Sequence, residues 1–370
     1  MALAMHTFLK GALAVLLPLI TKEFSLSYTE AGIVVTLSLV AYALIQLPAG
    51  YLATKVGSKK IIVLGIALGS ASTSLLAFSD YYGFCILLVL GQIGTGFHLG
   101  VATALISNLF EEKEMGKAIG THESAVSVGA LISPLVILPM ALSLNWRLTY
   151  LICGSFGFAV TLAVWRMLPN VENSKTERIS EHRPTRELLN KQILLIISVM
   201  MIWALVHQAI LAFLPLYLTV EKNIPLSSLA YYVSVPNALG ILGRPIGGQI
   251  SDKLGRKRTA LISLALLLMG AILTILIYEI RWLLPVLALL GFGLHTNHPV
   301  MLAFLMSKFS PSRRAIIMGR VNSIRLTVAA FGPAIVGAVA DSIGFRGAFS
   351  ILAICILVSL LGATRLQEKR

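Results

Sequence analysis

Lys10, His98, His122, Glu123, His207, His295, His298 and Arg325 each stand inside a stretch that is otherwise apolar for about twenty residues. At the centre of a bilayer such a side chain costs roughly 2.5–3.5 kcal/mol, so it normally faces a cavity or a partner. Two kinds of chemistry suit this set. An ammonium and a guanidinium attract carboxylates or phosphonates, whereas imidazoles and a buried carboxyl carry protons. Arg325 cannot shed its charge, which points it toward substrate or coupling. Glu123 is the only carboxylate well inside a stretch, and burial favours its neutral form, the state from which a proton carrier works. With His122 beside it, it is the candidate for proton coupling, and an ion pair with Arg325 or Lys10 is its other role. Asn297 and Asn322 add amide groups next to His298 and Arg325. For each histidine, a hydrogen bond to a neighbouring helix and a contact to a ligand both stay open.

Other chemistry finds no support in the residue pattern. There is no Walker motif, no metal-ligand spacing and no nucleophile with a base, so enzymatic activity, cofactors and metals are not expected. The run Gly91-x-x-Gly-x-Gly96 has the look of a dinucleotide loop, yet no strand precedes it and it lies within an apolar helix. Close helix packing is the expected use of these glycines. Cys85, Cys153 and Cys355 all sit in apolar stretches and read as packing thiols.

The elements that must position these groups are membrane helices. In the 370 residues, 57% are hydrophobic and 12% charged, with a mean hydropathy of +0.86, which is not a soluble composition. A crossing needs about 20 apolar residues. Twelve stretches qualify: 2–20, 29–51, 61–79, 82–109, 116–141, 147–168, 192–219, 227–250, 259–279, 283–307, 315–340 and 347–364. The first lacks a basic leader and a cleavage site and reads as a retained helix. It starts almost at Met1, which leaves room for a few residues ahead of it.

A net charge of +14 would suggest nucleic acid in a soluble chain, but here its placement matters more. With both termini inside, 22 of the 30 Lys and Arg fall on inside loops and five on outside loops, leaving Lys10, Arg244 and Arg325 within helices. That asymmetry orients the chain with both ends cytoplasmic. No nucleic acid is expected as a partner; a lipid bilayer is.

The chain also repeats itself. Gly248-Gln-Ile-Ser-Asp-Lys-Leu-Gly-Arg-Lys-Arg258 echoes Gly50-Tyr-Leu-Ala-Thr-Lys-Val-Gly-Ser-Lys-Lys60, and His98, Pro134 and Arg147 recur as His298, Pro333 and Arg346. The polar segment 169–191 separates a bundle at 1–168 from one at 192–370. Each half has an even number of spans, so the copies enter the bilayer from the same side as parallel repeats, an arrangement suited to alternating exposure of a central site. In both basic turns, Gly50 with Gly57 and Gly248 with Gly255 are expected to permit a tight turn and a close approach of helix ends. Lys59, Lys60, Arg256, Lys257 and Arg258 are expected at the anionic headgroups.

The second turn, its earlier copy, the span count and the central linker together resemble the major facilitator superfamily across essentially the whole chain. Phe97-His-Leu-Gly-Val-Ala-Thr-Ala-Leu-Ile-Ser, Gly120-Thr-His-Glu-Ser and Asn297-His-Pro look similar to the fosmidomycin-resistance-like and related small-molecule permeases. The resemblance implies an all-α integral membrane fold of twelve transmembrane helices in two parallel six-helix repeats. It further implies that spans one, four, seven and ten line the cavity, and that Asp252 latches the outward-facing state through ion pairs across helix ends. Thr54 stands at the matching place in the first copy, so a latch there is in doubt. Arg244, two helical turns before Asp252, is expected to serve a structural or gating ion pair. Span five carries Gly129-Ala-Leu-Ile-Ser-Pro134, only part of the family's antiporter signature.

The resulting expectation is a monomeric, multi-pass transporter of the cytoplasmic membrane that moves a small, anionic solute by alternating access, with proton coupling. Proton-coupled drug efflux is the alternative, and a transport-inactive membrane sensor a more distant one.

Overall fold

The computed structural model describes residues 1–109, 112–169 and 190–368. Among these it holds twelve α-helices and no strand: α1 (Ala2–Glu23), α2 (Tyr28–Val56), α3 (Ser58–Leu75), α4 (Tyr81–Leu109), α5 (Glu112–Ser143), α6 (Trp146–Met167), α7 (Lys191–Val220), α8 (Leu226–Leu254), α9 (Arg256–Leu276), α10 (Ile280–Met306), α11 (Pro311–Ala330) and α12 (Gly332–Thr364). Ten stretches are long and apolar enough to cross a membrane. α8 is not among them, because Asn237, Arg244 and several serines dilute its apolar run. One of the ten, Ile317–Thr364, is 48 residues long, more than twice what a single crossing needs.

That long stretch holds the last two expected spans, joined across a non-helical residue. The chain was expected to break between 340 and 347, and it does bend at Gly344, where φ is +78°. An earlier interruption falls at Phe331, ahead of Pro333, whose ring cannot sit against the preceding helical turn.

The described residues divide into two compact units: 1–25 with 34–169, and 26–33 with 190–368. Inside the first, α3 packs on α4 and α6, and α1 on α5; inside the second, α9 packs on α10 and α12, and α7 on α11. The duplicated sequence therefore reproduces its own helix adjacency. Small residues permit the tightest contacts. A Cβ added to Gly65 of α3 would lie 2.6 Å from the Gly94 carbonyl oxygen of α4, and one added to Gly293 of α10 would lie 2.5 Å from the Leu267 amide nitrogen of α9. The glycine run in α4 is thus a packing stripe, as its sequence suggested.

Residues 26–33 group with the second unit for a specific reason. The Asp341 carboxylate accepts from the backbone amides of Tyr28 and Thr29 at 3.0 and 2.7 Å and from the Thr29 hydroxyl at 2.6 Å. It caps the orphan amides at the start of α2 and complements that helix's positive end.

The two basic turns are built alike. Gly57 and Gly255 take φ of +102° and +90°, the left-handed region where a side chain is strained. Gly50 and Gly248 do not share in the turn. They lie inside α2 and α8, and among the described residues nothing stands within 4 Å of an added Cβ at either.

Candidate functional site

In the second unit, four aromatic side chains from α7 and α10 form one cluster. The Trp203 indole stacks on the His298 imidazole with centroids 5.2 Å apart and planes 21° apart, and it lies 5.0 Å from His207 one turn along α7. His207 meets His295 edge-on at 5.5 Å. The Trp203 Nε1–H donates to the Leu294 carbonyl at 3.1 Å, which fixes the indole between the helices. Gly240 of α8 makes room for the His295 ring, since a Cβ there would lie 2.8 Å from it.

Two guanidiniums converge on this cluster. Arg325 of α11 and Arg244 of α8 both lie near enough to His207 and His298 to act on them electrostatically. Arg325 is oriented by Asn322 one turn earlier, whose Oδ1 accepts from Nε at 3.1 Å and from Nη2 at 2.6 Å. An amide oxygen fixes the guanidinium plane and carries no charge of its own. The carboxylates of this unit stand elsewhere: among the described residues Glu30, Asp252, Glu279, Asp341 and Glu368 are exposed, and Glu221 is the C-cap of α7. The fixed charge near this cluster is therefore positive, on Arg244 of α8 and Arg325 of α11.

Asn297 stands apart from this group. It is buried, and its Nδ2 donates to Ser263 Oγ of α9 at 2.9 Å, an interhelical bond of the kind that holds membrane helices together. Asp252 is exposed and makes no ion pair among the described residues. The carboxylate that engages the turn is Glu368, near the chain end, which accepts from the Arg256 backbone amide at 2.6 Å at the start of α9. The Arg256 side chain reaches back to the Ala303 carbonyl of α10. Lys257 is half-buried and Arg258 exposed; in the first copy Lys59 is half-buried and Lys60 exposed.

The first unit has its own histidine cluster, drawn from α1, α4 and α5. The rings of His98 and His122 stack at 5.6 Å, with Nε2 facing Nε2 at 3.4 Å, and His6 lies 4.9 Å from His98. Lys10, one turn above His6, places its ammonium 5.0 Å from the Tyr42 ring of α2, a cation–π distance. The side chain of Glu123 lies outside the described residues.

Sequence reasoning missed His6 and Trp203, though a signal was present. His6 precedes Lys10 by four residues as Trp203 precedes His207, and Pro18 and Pro215 follow at matching distance. Each half thus places a ring on its first helix against a histidine of its fourth: His6 on His98, Trp203 on His298.

Two units of apolar helices, each carrying half-buried cations and buried histidines, fit a membrane transport protein. The family model described as Major Facilitator Superfamily matches residues 1–326 and, again, 245–369, and the chain belongs to that family. Membership makes it a carrier of small solutes rather than an enzyme. Among curated relatives, a probable L-galactonate transporter of Escherichia coli is 25% identical, the alignment covering 93% of this chain and 82% of that protein. A hexuronate transporter of Bacillus subtilis is 22% identical over 92% of this chain and 86% of its own. A probable sulfoacetate transporter of Cupriavidus necator is 26% identical over 68% of this chain, which spans 63% of that protein's length. A crystal structure of a bacterial homologue of the human lysosomal transporter Spinster, inward-facing and occupied, superposes with a TM-score of 0.86 at 16% identity, covering 99% of this chain and 95% of the other. At that identity the likeness concerns the fold.

Proposed function

We propose that the protein is a secondary active transporter that carries a small organic anion across the cytoplasmic membrane by alternating access, coupled to protons. One observation carries the choice of an anion: Arg244 and Arg325 act electrostatically on a histidine and tryptophan cluster while, among the described residues, the carboxylates of the same unit are exposed or stand at the C-cap of α7. A carboxylate or sulfonate entering there gains two charge-assisted partners. The relatives named for L-galactonate, hexuronate and sulfoacetate all carry such a group in their solutes, which supports the same reading. Lys10 in the first unit is a further cation for the solute, and the histidines with Glu123 are the candidates for the coupled proton. The distribution of Lys and Arg supports a cytoplasmic location for both termini.

The test is counterflow in proteoliposomes with labelled L-galactonate, glucuronate and sulfoacetate. Accumulation of at least one, lost in Arg325→Ala and Lys10→Ala, is the expected result. Transport of each tested anion at unchanged rate in both variants would overturn the assignment.

A further inference from the structure

A cavity of about 30 Å³ lies inside the first unit, between α1, α3, α4 and α6, and its polar lining is Lys10, Thr73, Gln92, Thr95 and Tyr150. One water needs about 10–15 Å³, so two or three fit. Gln92 and Tyr150 are 8% and 2% exposed, and the Gln92 Oε1 and the Tyr150 hydroxyl have no hydrogen-bond partner among the described residues. Thr73 and Thr95 donate their hydroxyls to the Gly69 and Gly91 carbonyls, which leaves their oxygen lone pairs turned to the cavity as acceptors. A dry cavity with two orphaned polar groups is costly, and water satisfies them.

The polar lining continues past the cavity. Gly69 forms part of the wall, and a Cβ placed on it would lie 3.9 Å from Cε1 of the His6 ring. His6 and His98 are 2% and 4% exposed, and the His6 Nε2 and His98 Nδ1 also have no partner among the described residues. The opposite nitrogen of His98 faces His122 Nε2 at 3.4 Å, so one ring must hold a hydrogen there and the other a lone pair. From Tyr150 to His122 the interior of this unit thus offers a file of donors and acceptors on five helices.

We propose that this file is a hydrated proton pathway that leads from the cavity at Gln92 and Tyr150, past Lys10 and His6, to the His98–His122 pair. At the pair, a hydronium in the file gives a proton to His98 Nδ1 while the His98 Nε2–H passes to the His122 Nε2 lone pair; one O–H and one N–H bond break as two N–H bonds form, and one positive charge moves from the water to His122. The groups facing the path are Lys10 and His6 from α1, Tyr42 from α2, His98 from α4, His122 from α5, and Tyr150 with Cys153 from α6. Lys10 supplies positive charge beside the path, which opposes a second proton on the trio. The pathway's role in transport rests on the proton-coupled reading above; its existence does not.

The experiment needs no solute. Radiolytic hydroxyl-radical labelling of the full chain in nanodiscs reports bound water at buried rings. Tyr150 is expected to be labelled at least 5-fold faster than Phe84, a ring 6.5 Å away that is equally shielded from bulk solvent. In parallel, deuterium exchange at the imidazole C2–H of His98, which requires both protonation and access of base, is expected to slow at least 5-fold in a Gln92→Leu/Tyr150→Phe double variant. Labelling of Tyr150 no faster than Phe84 would overturn the pathway, and so would a His98 exchange rate that the double variant leaves unchanged. L-Galactonate counterflow, run on the same protein, separates loss of this pathway from loss of transport itself.

Discussion

The Trp203 indole lies flat on the His298 imidazole and, through its Nε1–H, hangs from the Leu294 carbonyl one turn before it on the same helix. The indole therefore locks α7 to α10 and sets the plane of His298 together. Trp203→Phe keeps a ring and loses the hydrogen bond, a change of about 1 kcal/mol. Trp203→Ala also opens a cavity and should cost about 3–5 kcal/mol. Thermal unfolding in detergent is expected to rank wild type, Phe and Ala in that order.

Arg325 offers a second graded test. Asn322 holds the guanidinium by Nε and Nη2, which fixes its plane. A planar fork recognises a carboxylate through two parallel bonds, which lysine cannot reproduce. Arg325→Lys is expected to raise the KM for a transported carboxylate about 10-fold with charge preserved. Asn322→Ala, which frees the fork at a cost near one neutral hydrogen bond, should raise it about 5-fold. Equal KM values for wild type and Arg325→Lys would remove the bidentate role.

The glycines of the basic turns separate what was legible in the sequence from what was not. Duplication, helical class, the cationic character of the second half and the left-handed Gly57 and Gly255 could all be read from residue types and offsets, because these depend on local pattern. Gly50 and Gly248 were legible as landmarks, whereas their open surroundings were not, since whether a helix faces a neighbour or open space is a tertiary fact. For the same reason Glu368 could not be picked over Asp252 as the acid at the turn: nothing along the chain brings residue 368 beside residue 256 until α12 packs on α9. His6 and Trp203 were recoverable from the repeat, whereas the Gln92 and Tyr150 cavity depends on how four helices close around it.

Those glycines make a prediction of opposite signs. Gly57→Ala and Gly255→Ala force a Cβ into left-handed backbone, at about 1–2 kcal/mol each. Gly255→Ala should be the worse, because its Cβ would also lie 2.9 Å from the Glu368 carboxylate. Gly50→Ala and Gly248→Ala, in open helix, should stabilise by about 0.5–1 kcal/mol. Melting temperatures of the four variants decide the point, and destabilisation by Gly248→Ala would contradict the helical placement.

Lys222, just beyond the end of α7, gives a pH dependence. It is 6% exposed, donates to the Ile275 and Ile277 carbonyls at 3.0 and 2.9 Å, and sits 3.7 Å from the Tyr278 ring centroid. Burial lowers its pKa to about 8 from an ordinary 10.5, with Arg346 pushing the same way and Glu221 opposing. Between those two values the unfolded chain holds the proton and the folded chain has released it, so the unfolded state binds more protons and stability rises with pH. Below about pH 8 both forms are charged, and above about 10.5 both are neutral, so the slope vanishes outside the window. Lys222→Met removes the titration. The difference in melting temperature, wild type minus Lys222→Met, is therefore expected to climb between pH 8 and 10.5 and to be flat from pH 6 to 7. A difference that falls over the upper range would mean that the carbonyls and the Tyr278 ring hold the ammonium more strongly than burial penalises it.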